Sequence, residues 1–436
     1  MIGGVKKTES TADAPRLVAA KILASWLSAG RFPDREIANV SQGRAFVTEI
    51  VYGVVRRHRT LLFFRERLAM RRPAAPIEAV VLAALYELFF LDDTQPFATV
   101  HEAVEAARAL AGRHAASFVN AVLRRAQREE KELRAALELA PPGVRLSHPD
   151  SLLQRWRQHY GDSRAEALCA WDNTRPETVL RVLGSRATAA ELIARAGFEN
   201  ITLVRHHARP DDCLVLPRGV SVESLPGYSD GWFAVQDPST LGAVDLLAPR
   251  PGEVVIDSCA SPGGKAAAIW DRMNGQGTLV ACDIHEDRVK RLKENFVRLK
   301  MDGVHVALTD SADRSHVEAA IKAAKMPPPD AILLDVPCSN TGVLRRRADA
   351  RWRFDEIRLA QLTELQARML DTAAAILRPG GRIVYSTCSL EAEENERQIQ
   401  RFLAAHSGFK LEAEFKSFPP ESKMDGAFAA RLANFQ

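Results

Sequence analysis

Five short apolar runs in the second half of the chain constrain its fold more than any other feature: 254–257, 279–283, 304–310, 332–335 and 383–388. Each closes on an acid or a cysteine, and stretches of helical periodicity separate them. Nearly continuous apolar strands alternating with helices predict an α/β fold, a Rossmann-like, doubly wound parallel sheet covered on both faces. Open sheets of this kind bind their ligands outside the carboxyl ends of the strands. Asp257, Asp283, Asp310, Asp335 and Cys388 then share one functional edge, with Cys338 just beyond the fourth run.

The first run leads into Asp257-Ser258-Cys259-Ala260-Ser261-Pro262-Gly263-Gly264-Lys265 and then into a helix. Glycines at a strand-to-helix turn let backbone approach a nucleotide, and the helix N-terminus favours an anion. The loop is not the GxGxxG that cradles a pyrophosphate, so it better suits a nucleoside whose one anion is a carboxylate; S-adenosylmethionine qualifies. Asp283 ends the second run, near the separation at which an acid accepts hydrogen bonds from ribose hydroxyls. Any one of these acids could equally cap a turn. Four in order on one edge are expected to line a nucleoside site.

Six cysteines without CxxC spacing argue against a zinc knuckle and against a disulfide framework, so reduced thiols and no metal are expected. Cys338 and Cys388 are either small buried hydrophobes or reactive thiols at strand ends. Reactive thiols would suit one chemistry well. A thiolate added to C6 of cytosine makes C5 enamine-like and able to attack an electrophilic methyl group, after which a second group can assist release. Lys265 could bias a thiol toward thiolate, and Asp335 could hold the base edge.

The remainder of the 436-residue chain is globular in composition, with 46% hydrophobic and 26% charged residues. Residues 14–137 carry helical periodicity without strand-like alternation, which predicts an all-helical domain over 1–140. Pro141-Pro142-Gly143 marks a linker into a small α+β region, 141–232, and the α/β domain occupies 233–436. No run approaches a membrane span, and the first ten residues lack the apolar core of a secretion signal, so a cytoplasmic protein is expected. Net charge is only +4, but short basic clusters at 56–59, 71–72, 124–125 and 345–347 could track a phosphate backbone or simply be solvated.

Gln236-Asp237-Pro238, the 257–265 loop, 335–342 (DVPCSNTG), Arg351-Trp352, 385–389 (YSTCS) and 393–396 (EENE) together resemble the Sun/Nop family of RNA cytosine-5 methyltransferases. The ending 425–432 (DGAFAARL) resembles that family's closing strand. Residues 47–57 and 118–125 resemble the NusB-type helical RNA-binding domain, and the combination is similar to bacterial methyltransferases of small-subunit (16S) ribosomal RNA. The resemblance implies that Cys388 is the nucleophile and that Cys338 assists release. It implies that Cys259, Ala260, Ser261, Pro262, Gly263, Gly264, Lys265, Asp283, Asp310 and Asp335 line the S-adenosylmethionine site, with Asp335 also near the target base. Arg175-Pro176 and 180–182 resemble the family's RNA-contacting segment. A monomer acting on structured ribosomal RNA is expected.

Ser258, Ser261, Val336 and Asn340 depart from the commoner Leu, Ala, Ala and Gly. Asn340 is expected to reduce backbone freedom after Cys338. Three other functions remain to be separated: a transfer RNA methyltransferase, which the helical leading domain disfavours; a non-catalytic RNA-binding factor, which would not need the acids and both cysteines; and a thiol redox protein.

Overall fold

The computed structural model describes residues 14–92 and 94–435, so the leading segment read for a secretion signal lies outside them. Two compact units follow one another along the chain, the first ending at Asn173 and the second beginning at Thr174. The 141–232 region is therefore shared, with 141–173, all helical, falling in the first unit and the strands together with the helix over 189–198 in the second.

The first unit is helical throughout: α1 (Pro15–Ala29), α2 (Pro33–Ile37), α3 (Arg44–Leu68), α4 (Ala75–Phe90), α5 (Pro96–Arg128), α6 (Glu130–Glu138), α7 (Pro142–Arg145), α8 (Asp150–Tyr160) and α9 (Asp162–Asp172). Proline begins α1 and α5 and stands in the first turn of α4, where its missing N–H costs no helical hydrogen bond. α4 is buried on every side, Val80, Val81, Leu82 and Leu85 included, and forms the unit's axis. α5 breaks at Ala111 and Gly112, where Gly112 has φ +79°.

Two expectations are corrected here. The 56–59 cluster is not a solvated stripe: Arg56 is buried, Arg57 lies over the Phe90 ring at 4.9 Å, and Arg59 pairs with Asp150 at 2.6 Å. The Pro141–Gly143 stretch is not a free linker either. It runs into α7, whose Val144 carbonyl accepts from the Thr60 hydroxyl of α3 at 2.7 Å.

The second unit opens with β1 (Thr178–Val182), α10 (Ala189–Phe198), β2 (Val204–His206), β3 (Arg209–Leu216) and β4 (Phe233–Val235), an antiparallel sheet in the order β2-β3-β1-β4. Leu180, Leu192, Leu214 and Phe233 pack beneath it. Arg181, on the other face of β1, is buried and donates from Nε to Gln236 Oε1 at 2.7 Å, so its expected RNA contact is overturned.

There follow α11 (Leu241–Leu247), β5 (Val254–Asp257), α12 (Gly264–Arg272), β6 (Thr278–Asp283), α13 (Glu286–Arg298), β7 (Val304–Leu308), α14 (Arg314–Ala323), β8 (Ala331–Asp335), α15 (Glu356–Ile376), β9 (Arg382–Thr387), α16 (Glu396–Ala405), β10 (Phe409–Ser417), α17 (Pro419–Ser422) and β11 (Ala427–Asn434). The sheet runs β10-β11-β9-β8-β5-β6-β7. All five apolar runs pair in parallel, while β10 and β11 add antiparallel at one edge, so the sheet is mixed rather than purely parallel. Strand residues alternate between two cores: Val255, Leu279, Leu333 and Val384 enter one, and Ile256, Val280, Ile332, Leu334 and Ile383 the other. Burial on both faces is why these runs read as continuously apolar. Strand order reverses between β5 and β8, which opens the crevice of a topological switch point at their carboxyl ends.

Candidate active site

Register decides what meets at that crevice. β8 and β9 are parallel neighbours with Asp335 opposite Ser386, and the Val336 N–H donates to the Ser386 carbonyl, carrying the pairing one step further. Cys338 and Cys388 both lie just past this ladder, and their sulfurs stand 3.3 Å apart. Among the described residues none of the six cysteines forms a disulfide. Burial pushes Cys282 up to about 12 and holds Cys259 well above its ordinary value, so neither is a ready nucleophile.

The two facing thiols are driven apart in acidity. Cys388 is held below the ordinary thiol value, chiefly by the hydrogen bond from Cys338, against burial and Asp335, with Arg347 and Lys265 adding in the same downward direction. Cys338 is pushed well above it by the same hydrogen bond, by burial and by Glu394. Cys388 is thus the more readily ionised thiol of the coupled pair.

Lys265, in the first turn of α12, reaches across the crevice to Asp335, Nζ to Oδ2 2.7 Å. Burial depresses its ammonium, but Asp335, Cys388 and Asp257 together outweigh burial and the net shift is upward. The other Asp335 oxygen accepts from the Ser386 hydroxyl at 2.9 Å, which fixes the carboxylate beside both thiols.

The loop joining β5 to α12 is anchored by backbone. Ala260 N–H donates to the Cys282 carbonyl at 2.8 Å, and Gly263 N–H to the Ala260 carbonyl at 2.7 Å. Gly263 sits at φ +110°, and a Cβ there would come within 3.0 Å of Leu292 and Phe296. Asn295 of α13 donates to the Pro262 carbonyl at 2.7 Å, holding the loop from the far side. Asp283 accepts from His285 N–H and Asp310 from Ala312 N–H, each through Oδ1 alone. Exposed Ile284 and Leu308 follow or end the same strands, an apolar rim suited to a flat ring. At the root of the loop Asp257 is fully buried, and neither carboxylate oxygen has a hydrogen bond of ordinary geometry, although the Cys259 backbone N–H is close enough to favour its charged form.

Sequence reasoning missed the residues that hold the cysteine loops. Glu394 accepts from the Ser339 N–H at 2.9 Å and from Gln366 Nε2 at 3.0 Å, while Gln366 also donates to the Pro337 carbonyl at 2.9 Å. Tyr385 donates to the Glu394 carbonyl and Thr387 to Asn395 Oδ1, both at 2.6 Å. Glu394 lies in the 393–396 motif, but only the fold brings α15's Gln366 to it. Arg346 likewise gathers two distant motifs, bonding Asp237 Oδ2 at 2.8 Å and Asp425 Oδ2 at 2.5 Å. The 345–347 cluster is therefore partly an internal clamp. Asn340 has φ +62°, a conformation Asn tolerates, and its side chain is engaged with both cysteines rather than merely restricting the backbone.

Three family models match the chain: "NusB family" over 13–128, "Methyltr_RsmF/B-like, ferredoxin-like domain" over 148–223, and "16S rRNA methyltransferase RsmB/F" over 244–433. A Synechocystis protein named "Probable ribosomal RNA small subunit methyltransferase B" is 35% identical over 89% of this chain and 87% of its own. The Vibrio cholerae protein named ribosomal RNA small subunit methyltransferase B is 35% identical, with 89% of each chain covered. The crystal structure of a methyltransferase homologue from Pyrococcus horikoshii, 25% identical, superposes with a TM-score of 0.58 over 67% of this chain and 97% of that one.

Proposed function

This chain belongs to the family described as 16S rRNA methyltransferase RsmB/F, and from that membership we propose that it methylates C5 of a cytosine in small-subunit ribosomal RNA with Cys388 as nucleophile and Cys338 assisting release. The transfer is dependent on S-adenosylmethionine, which supplies the methyl group as an electrophilic carbon. The observation that carries the residue assignment is the 3.3 Å approach of two thiols whose acidities are pushed in opposite directions beside a Lys265–Asp335 ion pair.

The cofactor's chemistry fits the crevice. Residues 259–265 supply the close backbone approach, Asp283 and Asp310 each offer an acid at a strand end, and Ile284 and Leu308 offer an apolar rim.

Cys388 sulfur, as thiolate, forms a bond to C6, and the electron pair displaced from the C5–C6 double bond makes C5 nucleophilic. Asp335 is held by Lys265 and Ser386 at the place where it can accept from the base edge. After alkylation, water takes the C5 proton, the C–H electron pair restores the C5–C6 double bond, and the Cys388–C6 bond breaks with its electron pair returning to Cys388 sulfur. The Cys338 S–H stands where it can donate to that departing thiolate. The helical leading unit, matched by the NusB family model, supports ribosomal over transfer RNA as the substrate.

With RNA carrying 5-fluorocytosine, where the C5 proton is replaced, the wild-type enzyme should be trapped as a covalent adduct visible as a gel-shifted band. Cys388→Ser should form none, and Cys338→Ser should accumulate adduct with ordinary RNA. Adduct formation by Cys388→Ser but not by Cys338→Ser would reverse the two roles.

A further inference from the structure

Asn340 stands between the two thiols and has no part in the steps above. We propose that it is a positioning residue for Cys388: its side-chain oxygen accepts the resting thiol's hydrogen, aims the sulfur and holds it protonated until substrate arrives. This rests on Cys388 being the nucleophile.

Chemistry fixes the direction of the two hydrogen bonds that the Asn340 side chain makes. Asn340 Nδ2 lies 2.8 Å from the Cys338 carbonyl oxygen, which can only accept, so the amide cannot be turned the other way. Its oxygen therefore faces Cys388 Sγ, at 3.3 Å. An amide oxygen cannot donate, so the Cys388 S–H points at it, and the Cys388 sulfur is left to accept the S–H of Cys338 at 3.3 Å. The backbone carbonyl of one cysteine thus orients the amide that orients the other. Asn340 is held in place by its φ of +62°, which few other side chains tolerate.

The two partners of Cys388 act in opposite senses. A donor such as the Cys338 S–H favours the thiolate, as do Lys265 and Arg347. The Asn340 oxygen favours the thiol. With glycine in its place the sulfur would lose that acceptor, ionise more readily and lose its aim.

The test is the pH dependence of iodoacetamide alkylation at Cys388, followed by peptide mass spectrometry on the full chain without RNA. Wild type, Asn340→Gly and Asn340→Asp are compared, each also assayed for methyl transfer. Glycine accepts the left-handed backbone and removes only the side chain. Its alkylation midpoint should fall by roughly half a pH unit, the worth of one weak hydrogen bond. Asn340→Asp places a carboxylate beside the sulfur and should raise the midpoint by about one unit. A role confined to loop stability would change melting temperature without moving the two midpoints in opposite directions. Midpoints that coincide with wild type, or a rise in Asn340→Gly, would overturn the proposal. If the glycine variant is too loosely folded, the sign of the aspartate shift decides alone. Methyl transfer retained by Cys388→Ser would sink the nucleophile assignment instead, an outcome the alkylation data cannot mimic.

Discussion

Asp257 should make the enzyme less stable as pH rises through neutrality, and Asp257→Asn should remove that dependence. Burial, reinforced by the charge of Asp335, pushes this carboxyl up to about 7, against the pull of Lys265. The unfolded chain ionises it near the ordinary value of 3.8. A folded-state value above the unfolded one means that the folded protein binds the extra proton between the two, so the contribution is fully present below the unfolded value and lost as pH rises through the folded one. The whole excursion is worth about 4 kcal/mol at 1.36 kcal/mol per unit, of which about 2.5 kcal/mol falls between pH 5 and pH 8. The group is fully buried, so solvent screening removes little of it. Asparagine keeps the shape but cannot ionise. Its buried amide adds a penalty of its own, and that penalty does not vary with pH, so the informative quantity is the difference between variant and wild type as a function of pH. Urea unfolding at pH 5, 6, 7 and 8 should show that difference moving in the variant's favour by about 2.5 kcal/mol across the range. A difference flat in pH would mean that Asp257 is ionised throughout and that a partner for it exists in the folded protein.

Three further outcomes are expected. Gly263→Ala combines φ +110° with a Cβ 3.0 Å from Leu292 and Phe296, so it should cost about 2 kcal/mol of stability and weaken S-adenosylmethionine binding measured by calorimetry. Lys265→Met removes a cation that favours the Cys388 thiolate, so the alkylation midpoint of Cys388 should rise while the protein stays folded. Arg346→Ala leaves Asp237 and Asp425 facing each other in the interior and should destabilise by about 3 kcal/mol at pH 8. Because Asp425 is raised by burial and by Asp237 to about 6, that loss should shrink at pH 5, where the carboxyl is protonated; an equal loss at both values would contradict the clamp.

The strands, their order of acids and the loop after β5 were legible because burial on both faces writes itself as continuous apolar sequence. What failed were the readings that depend on where a charged side chain ends up. Arg56 and Arg181 look like RNA-facing cations in sequence, yet one is packed in α3 and the other is bonded to Gln236 on the face of the small sheet away from its own apolar cluster. A guanidinium on a long stem carries no mark of which way it folds. The family resemblance points to a closing strand at 425–432, where β11 lies, but β10 was hidden for a different reason. β10 alternates exposed and half-buried residues with many charges, the pattern of an edge strand, and only β11 beside it, itself paired to β9, shows it to be part of the sheet. Glu394 and Gln366 were invisible as a pair because their meeting requires α15 to cross behind the loop after β8.

Placement of the thiols follows from topology alone, but their chemistry does not. Any two residues just past adjacent parallel strands will lie near each other, since parallel pairing keeps neighbouring strand ends level. Near is not sufficient for one thiol to acidify another, because a hydrogen bond falls away over a few tenths of an ångström. The extra precision comes from the polar loops: Glu394 and Gln366 grip the backbone on either side of Cys338, Asn395 grips the Ser389 carbonyl just past Cys388, and Gly342 N–H donates to the Cys388 carbonyl at 2.9 Å. Both cysteines are thus tied to the same motif after β9, so displacing that motif should affect them together. Glu394→Ala tests this directly. It leaves the Ser339 N–H without its acceptor and takes one of the two acceptors of Gln366 Nε2, so the Cys338–Cys388 contact should loosen. The Cys388 alkylation midpoint should then rise toward the ordinary thiol value even though Glu394 touches neither sulfur. An unchanged midpoint in a folded Glu394→Ala protein would show that the sheet ends hold the pair without help.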